Sequence, residues 1–341
     1  MVSARRVVFL VSAALISVGA GLLADHLDTQ AAPPHAGWSD SGGGLQLADI
    51  ACATPTWCVG LQPVAGQNAA VTWTGHKWTA PVSVPSFEFY VALSCPVIGS
   101  CLALTSNGLT LHLANGHWRL GAPYDPQAVG APYASPSAAL SCTSIDACVA
   151  VNGAGAEVTL GPDGWTRPVS IDDAPLTGVT CPAPATCVAV DGLGRILTSV
   201  AGRFGAPHQV ASDALQAVAC ASADFCAVAG LDGAVRVGNP DQLGPPHSLG
   251  PPAEPIALAC PSDGECIAAG PEGAITVLSG GRWHVVRAYG KGSPTSPDTE
   301  AISCPAGAPD FCAIADFYDD VVVGGAPFTS FSRESLATAA Q

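Results

Sequence analysis

Basic residues are scarce in this chain. Arginine and lysine together number twelve against 27 acids, and only Lys77 and Lys291 are lysines. The formal net charge is −15. A nucleic-acid site needs a basic stripe along the phosphate backbone; the arginines here are scattered, which excludes nucleic acid as a partner. An anionic membrane surface is disfavoured for the same reason. Charge of either sign is thin, at 11% of residues, less than half the usual ~25%. The acids keep an otherwise apolar surface soluble. No segment of helical period is long enough to matter, and 38 glycines disfavour a helical bundle. A Gly-x-Ser-x-Gly elbow, a phosphate loop and a dinucleotide fingerprint are all missing. The spaced glycines of VNGAGAE (151–157) join strand to strand, not strand to helix. Disorder is excluded by the 48% of hydrophobic residues, enough for a sizeable core.

The N-terminus has the form of a targeting segment. Arg5 and Arg6 precede an uncharged run, Val7 to Ala24, and Asp25 and Asp28 follow it. A basic start before an apolar stretch describes an export signal, with Val18 and Ala20 as small residues before a cleavage point. The run is also just long enough to span a bilayer, in which case the arginines stay in the cytoplasm and the remainder lies outside. Residues 1–24 are therefore expected to be a signal peptide or a signal anchor, with 7–24 the candidate membrane tether. Residues 25–34 form a linker. Either route places the protein outside the cytoplasm.

The cysteines carry the architecture. Fourteen fall into seven close pairs: Cys52/Cys58, Cys95/Cys101, Cys142/Cys148, Cys181/Cys187, Cys220/Cys226, Cys260/Cys266 and Cys304/Cys312. The first members recur at steps of 43, 47, 39, 39, 40 and 44 residues, a repeat of the length of a four-stranded propeller blade. A short apolar strand precedes each pair and another follows it. A turn such as Asn107-Gly108, Asn152-Gly153, Asp191-Gly192 or Asp232-Gly233 comes next, where Gly supplies positive φ. A third strand then leads to a large apolar residue: Trp78, Trp118, Trp165, Phe204, Leu243 or Trp283. A Pro-containing fourth segment returns to the next repeat.

Each cysteine pair brackets a loop between adjacent strands, a separation that suits a disulfide in an exported chain. Zinc is the alternative, but it prefers pairs two to four residues apart with His nearby. His76, His112, His117, His208, His247 and His284 do not track the cysteines. The expected fold is all-β: a seven-bladed β-propeller over residues 35–328, with four-stranded blades and one disulfide in each. An open solenoid or a double sandwich is the alternative. The seventh repeat lacks an evident Trp-bearing fourth strand after DVVVGG (320–325), and HAGWSDS (35–41) precedes the first. Trp38 is thus expected on an N-terminal strand that closes the ring, with 329–341 a C-terminal tail.

The repeat, clearest in GVTCPAPATCVAVDGLGRILTSVAGRF (178–204), resembles the disulfide-stapled repeats of exported bacterial β-propellers, which are grouped with BNR/YVTN-like and sialidase-like propellers. The resemblance covers roughly residues 36–328. It implies the fold and not an activity, because propellers host many functions. The sialidase machinery has no counterpart. Asp163-Gly164-Trp165 lacks the Ser and the spacing of an Asp box, and Arg119, Arg203 and Arg282 recur beside the aromatic position as repeat residues.

The fourth-to-first connections and second-to-third turns are expected on one face, opposite the disulfide loops, with the first strands around a central channel. Long connections on that face, 122–138 and 285–298, are natural carriers of binding. The candidate ligand residues are Tyr124, Asp125 and Tyr133 in one connection, Asp191 and Asp232 in the turns, and Asp316, Tyr318, Asp319 and Asp320 in blade seven. No catalytic residue, metal or cofactor is assigned. The expected function is an extracytoplasmic binding scaffold, monomeric and non-catalytic, for a protein or glycan ligand. The alternatives are a carbohydrate-active enzyme of the sialidase-like superfold, or a membrane-tethered structural partner in an envelope complex.

Overall fold

The computed structural model describes residues 47–62, 68–85, 90–125, 138–249, 257–270, 275–287, 299–316, 321–325 and 330–334. All lie in the compact unit His35–Gln341. The expected signal segment, the linker and the Trp38 strand fall outside the described residues.

The described strands form seven antiparallel sheets, each built from consecutive strands in sequence order. No helix occurs among the described residues, and so none is long and apolar enough to cross a membrane. Blade 4 shows the plan: Leu176–Ala183, Thr186–Asp191, Arg195–Val200 and Arg203–Phe204, with His208–Gln209 continuing the outer edge. The fourth strand is interrupted in this way in blades 3, 4 and 5. Pro168, Pro207 and Pro246 sit in the interruptions. Proline cannot donate to a ladder, so it blunts the exposed outer edge against pairing with another chain.

All seven disulfides are formed, and no cysteine is free. Cys52↔Cys58, Cys142↔Cys148 and Cys220↔Cys226 are direct cross-strand partners. Each bridge joins the first strand of a blade to its second, as the spacing requires. Seven bridges and no thiol suit an oxidising environment.

The blades are held to one another by seven hydrophobic clusters, one at each blade-to-blade interface. Between blades 4 and 5, for example, Val188, Val190 and Ile196 meet Leu215, Cys226 and Val228. The recurrent large residue seals the outer end of an interface: Trp118, Trp165, Phe204, Leu243 and Trp283 each pack on the cluster facing the preceding blade. A serine before the first cysteine adds a polar link. The Cys52, Cys142 and Cys181 N–H groups donate to Ser303, Ser94 and Ser141 Oγ of the preceding blade, at 2.9, 3.2 and 2.9 Å.

Ring closure differs from the expectation. The fourth strand of blade 7 is Ser330–Glu334, paired with Val321–Gly325 from Val321↔Glu334 to Gly325↔Ser330. The segment expected to be a tail thus supplies a strand, and the place intended for the N-terminal strand is filled locally. Joining neighbours through residues 326–329 closes a far smaller loop than a ring-spanning one, and loop closure costs more entropy as the loop lengthens. Packing closes the ring: Ile50, Val71 and Trp73 of blade 1 meet Ala313, Ala315, Val321 and Val323 of blade 7.

The turns also correct the sequence reading. In the second-to-third turns of blades 3 and 4, positive φ falls on Gly155 (73°) and Gly194 (81°), two residues beyond Gly153 and Gly192. The Gly155 and Gly194 N–H groups donate to the Asn152 and Asp191 carbonyls, at 3.1 and 3.3 Å. This is a type I turn with Asn or Asp first and Gly fourth. A Cβ on Gly194 would lie 2.4 Å from the Ala211 carbonyl oxygen, so glycine is required there. Two successive positive-φ residues occur instead in third-to-fourth hairpins, at Asn115-Gly116, Ala201-Gly202 and Gly280-Gly281, the pattern of the primed turns that match strand twist. Ala201 pays for a left-handed backbone (φ 51°) that asparagine tolerates better. Ala201→Asn is expected to raise stability by about 0.5–1 kcal/mol, part of the left-handed penalty, read as a higher urea midpoint; a lower midpoint would contradict this turn type.

Candidate functional site

The first strands of all seven blades surround a central cavity of about 540 Å3. Seven aliphatic residues, each two before the first cysteine, contribute to its wall: Ile50, Leu93, Leu140, Val179, Val218, Leu258 and Ile302. The next position is small, with Ser94, Ser141, Thr180 and Ser303 adding hydroxyls. Three residues before the cysteine, six blades carry Ala or Gly and blade 1 carries Asp49. Asp49 thus brings a carboxylate to the channel wall; its Oδ1 accepts the Ile50 N–H at 2.7 Å. The candidate residues from the sequence did not include it. Alignment of the first strands on their cysteines exposes it.

The turn-bearing face is built as expected. The Ile171 and Asp172 N–H groups donate to the Gly155 carbonyl, and those of Val210 and Ala211 to the Gly194 carbonyl. This stitching joins each fourth-to-first connection to the second-to-third turn of its own blade. The acids there serve the scaffold. Asp191 is fully buried; its Oδ1 accepts the Leu193 and Arg195 N–H groups, and its Oδ2 accepts Arg195 Nε at 2.5 Å. Arg195 Nη2 reaches Asp172 Oδ1 at 2.5 Å and Asp173 Oδ1 at 2.6 Å. Burial pushes the Asp172 carboxyl up, and neighbouring Asp173 adds to this. The Arg195 guanidinium pulls exposed Asp173 down. One cation therefore ties the connection between blades 3 and 4 to the turn of blade 4.

Asp232 behaves similarly. Its Oδ2 accepts Arg236 Nη2 at 2.6 Å. Burial opposes its ionisation, but the hydrogen bonds from Arg236 and the Ala234 N–H outweigh burial and hold the carboxyl below its usual range. An arginine four residues after each turn acid was the legible sign that these acids were engaged. Tyr124 is buried too, its hydroxyl donating to the Thr105 carbonyl at 3.3 Å and its ring 6.2 Å from that of Trp165. Burial, with Asp125 beside it, pushes the phenol up to about 12. It is a wedge between blades 2 and 3. Asp125 follows with its N–H on the Gly108 carbonyl. Asp316 ends the second strand of blade 7, opposite Thr299. Tyr133, Tyr318, Asp319 and Asp320 fall outside the described residues.

No protein-family model and no curated protein matches this sequence. Solved structures do. The chain is similar to YCF48 bound to D1 peptide, at 16% identity and TM-score 0.62, over 84% of this chain and 94% of that one. It is similar to the WD40 β-propeller domain of Doa1, at 11% identity and TM-score 0.61, over 89% and 99%. U3-55K is a third, at 11% identity and TM-score 0.60, over 73% and 81%. The chain has the β-propeller fold, with seven blades and a disulfide in each.

Proposed function

We propose that this protein is an exported, non-catalytic scaffold that holds a segment of a partner protein at the channel mouth and the turn-bearing face. The observation that carries the reading is the central cavity, walled by the first strands of all seven blades, each strand pinned by its own disulfide. A rigid concave surface loses little freedom on binding, which favours a scaffold for an extended partner. The similar propeller YCF48 has been solved with a peptide bound, and peptide capture is the use this fold suggests here. Asp125 and Tyr133 in one connection, and Asp316, Tyr318, Asp319 and Asp320 at the second-to-third turn of blade 7, are proposed to contact the partner. The basic and apolar N-terminal segment and the seven disulfides support export.

Site-specific photo-crosslinking tests the reading. A benzophenone side chain at Asp49 probes the channel; one at Val200, 78% exposed near the end of a third strand, probes the outer rim. Incubated with cell-envelope proteins, the Asp49 probe is expected to yield a discrete adduct and the Val200 probe none. Equal labelling from both positions, or none from Asp49, would reject the channel as the binding surface.

A further inference from the structure

One position breaks the repeat. Near the start of the third strand, Ala70, Thr110, Glu157, Ile196, Val235, Ile275 and Val321 occupy equivalent places. Each pairs with the residue three after its blade's second cysteine. Six of them are buried, and Thr110 is satisfied by donating to the Ala122 carbonyl at 2.7 Å. In blade 3 the place holds a carboxylate. Glu157 is half-buried, and among the described residues no hydrogen bond or ion pair reaches its side chain. Burial alone shifts it, pushing the carboxyl up.

Glu157 faces blade 4. Its cross-strand partner Val151 belongs to the cluster between blades 3 and 4. In five other interfaces the equivalent third-strand residue is part of the apolar cluster. Here that wall is polar, and a cavity of about 260 Å3 opens. Val149, Glu157 and Thr159 line one side; Cys187, Ser199 and Phe204 line the other. The Ser199 hydroxyl is occupied by the Cys187 N–H at 2.7 Å. The unmet demand in the cleft is therefore negative charge beside an aromatic ring and aliphatic surface.

We propose that this cleft binds a primary ammonium or guanidinium group on a short aliphatic stem, with Glu157 as counter-charge and Phe204 and Val149 against the stem. Half-burial penalises the charged form of this carboxyl, and a cation in the cleft is the partner that restores it. An aromatic face adds to the attraction. The cleft is smaller than the ~300–1,000 Å3 of a drug-sized ligand site, and suits one side chain or one small amine. A chain of net charge −15 draws cations towards it. Free alkylamines and the lysine or arginine side chains of a partner protein share this chemistry. The site lies on the third strand, two strands out from the channel, and stands whether or not the channel holds a partner.

The test titrates the oxidised full chain with n-butylamine, agmatine and Nα-acetyl-lysine methylamide, with n-butanol as the neutral control, by calorimetry. Saturable binding of the cations and none of butanol is expected, weakened at least tenfold in Glu157→Gln. Without ligand, Glu157→Gln and Glu157→Ile should both melt at or above the parent temperature, since each removes an unpartnered charge. Binding of the free amines would assign the cleft to small cations. Binding of the lysine derivative alone would assign it to a protein side chain. No saturable binding of any cation, equal affinity in Glu157→Gln, or lower melting of both variants would overturn the proposal.

Discussion

Replacing Arg195 with methionine is expected to destabilise the protein by about 3–5 kcal/mol, the cost of leaving buried charge uncompensated. Arg195 is shared by three carboxylates, and the Asp172 and Asp191 side chains are fully shielded from solvent. Methionine keeps much of the bulk but removes every donor. The Asp172 carboxyl, already pushed up by burial, would then take a proton, and the connection between blades 3 and 4 would lose its anchor on the turn. The measurement is the urea midpoint of the oxidised protein, followed by far-UV circular dichroism. Two controls bear on the cause. Asp173→Asn should move the midpoint little, since that side chain is 81% exposed and screened by water. Arg195→Lys should fall between, because an ammonium cannot reproduce the guanidinium fork. An Arg195→Met midpoint equal to that of the parent would show that the cluster adds nothing to stability.

Full reduction of the disulfides is expected to unfold the chain at 25 °C. Six of the seven bridges join cysteines six residues apart, and chain entropy assigns a loop of that size about 2 kcal/mol. Seven such losses rival the ~5–15 kcal/mol by which a folded protein typically exceeds its unfolded state. The second cysteine of each pair is buried, with Cys58, Cys101, Cys226, Cys266 and Cys312 at 0% exposure. Cys142, Cys181, Cys220, Cys260 and Cys304 are half-buried, so reductant can meet the first sulfur of those bridges but reaches the second only when a blade opens. Dithiothreitol in native buffer should act slowly and in denaturant quickly, and the reduced chain should not recover its β spectrum when denaturant is removed under reducing conditions. Recovery of the native spectrum with a similar melting temperature would mean that the apolar interfaces suffice without the sulfur clasps.

Both predictions rest on contacts of different reach, and that difference explains what could be read in advance. The cysteine pairs are six or eight residues apart, and the hairpin they clasp lies between them; the repeat spacing was enough to find seven blades, their strand order and the large residue at the interface in front of blades 1 to 6. The turn acids were found at the right places too, but were taken for ligand contacts. Asp191 and Asp232 are engaged by Arg195 and Arg236, each four residues later. The third strand begins at the turn and folds the arginine back over the acid, so the four-residue spacing itself carried this pairing. Asp172 lies 23 residues before Arg195, and nothing in their spacing announces the pair.

The remaining features belong to the closed ring. HAGWSDS was the expected fourth strand of blade 7 and 329–341 the expected tail, yet Ser330–Glu334 pairs in register with Val321–Gly325. Glu157 looks like any polar residue on an alternating strand until the ring places blade 4 against it. The channel, with Asp49 on its wall, exists only because seven first strands converge on one axis. Hairpins form from neighbours along the chain, so their pattern is written in short spacings. Seams between blades and the channel depend on which faces meet after the ring has closed, and that meeting is decided by packing across separations of roughly 40 residues or more that local spacing does not encode; the Asp172–Arg195 pair spans 23 residues, from the connection between two blades to the turn of the second.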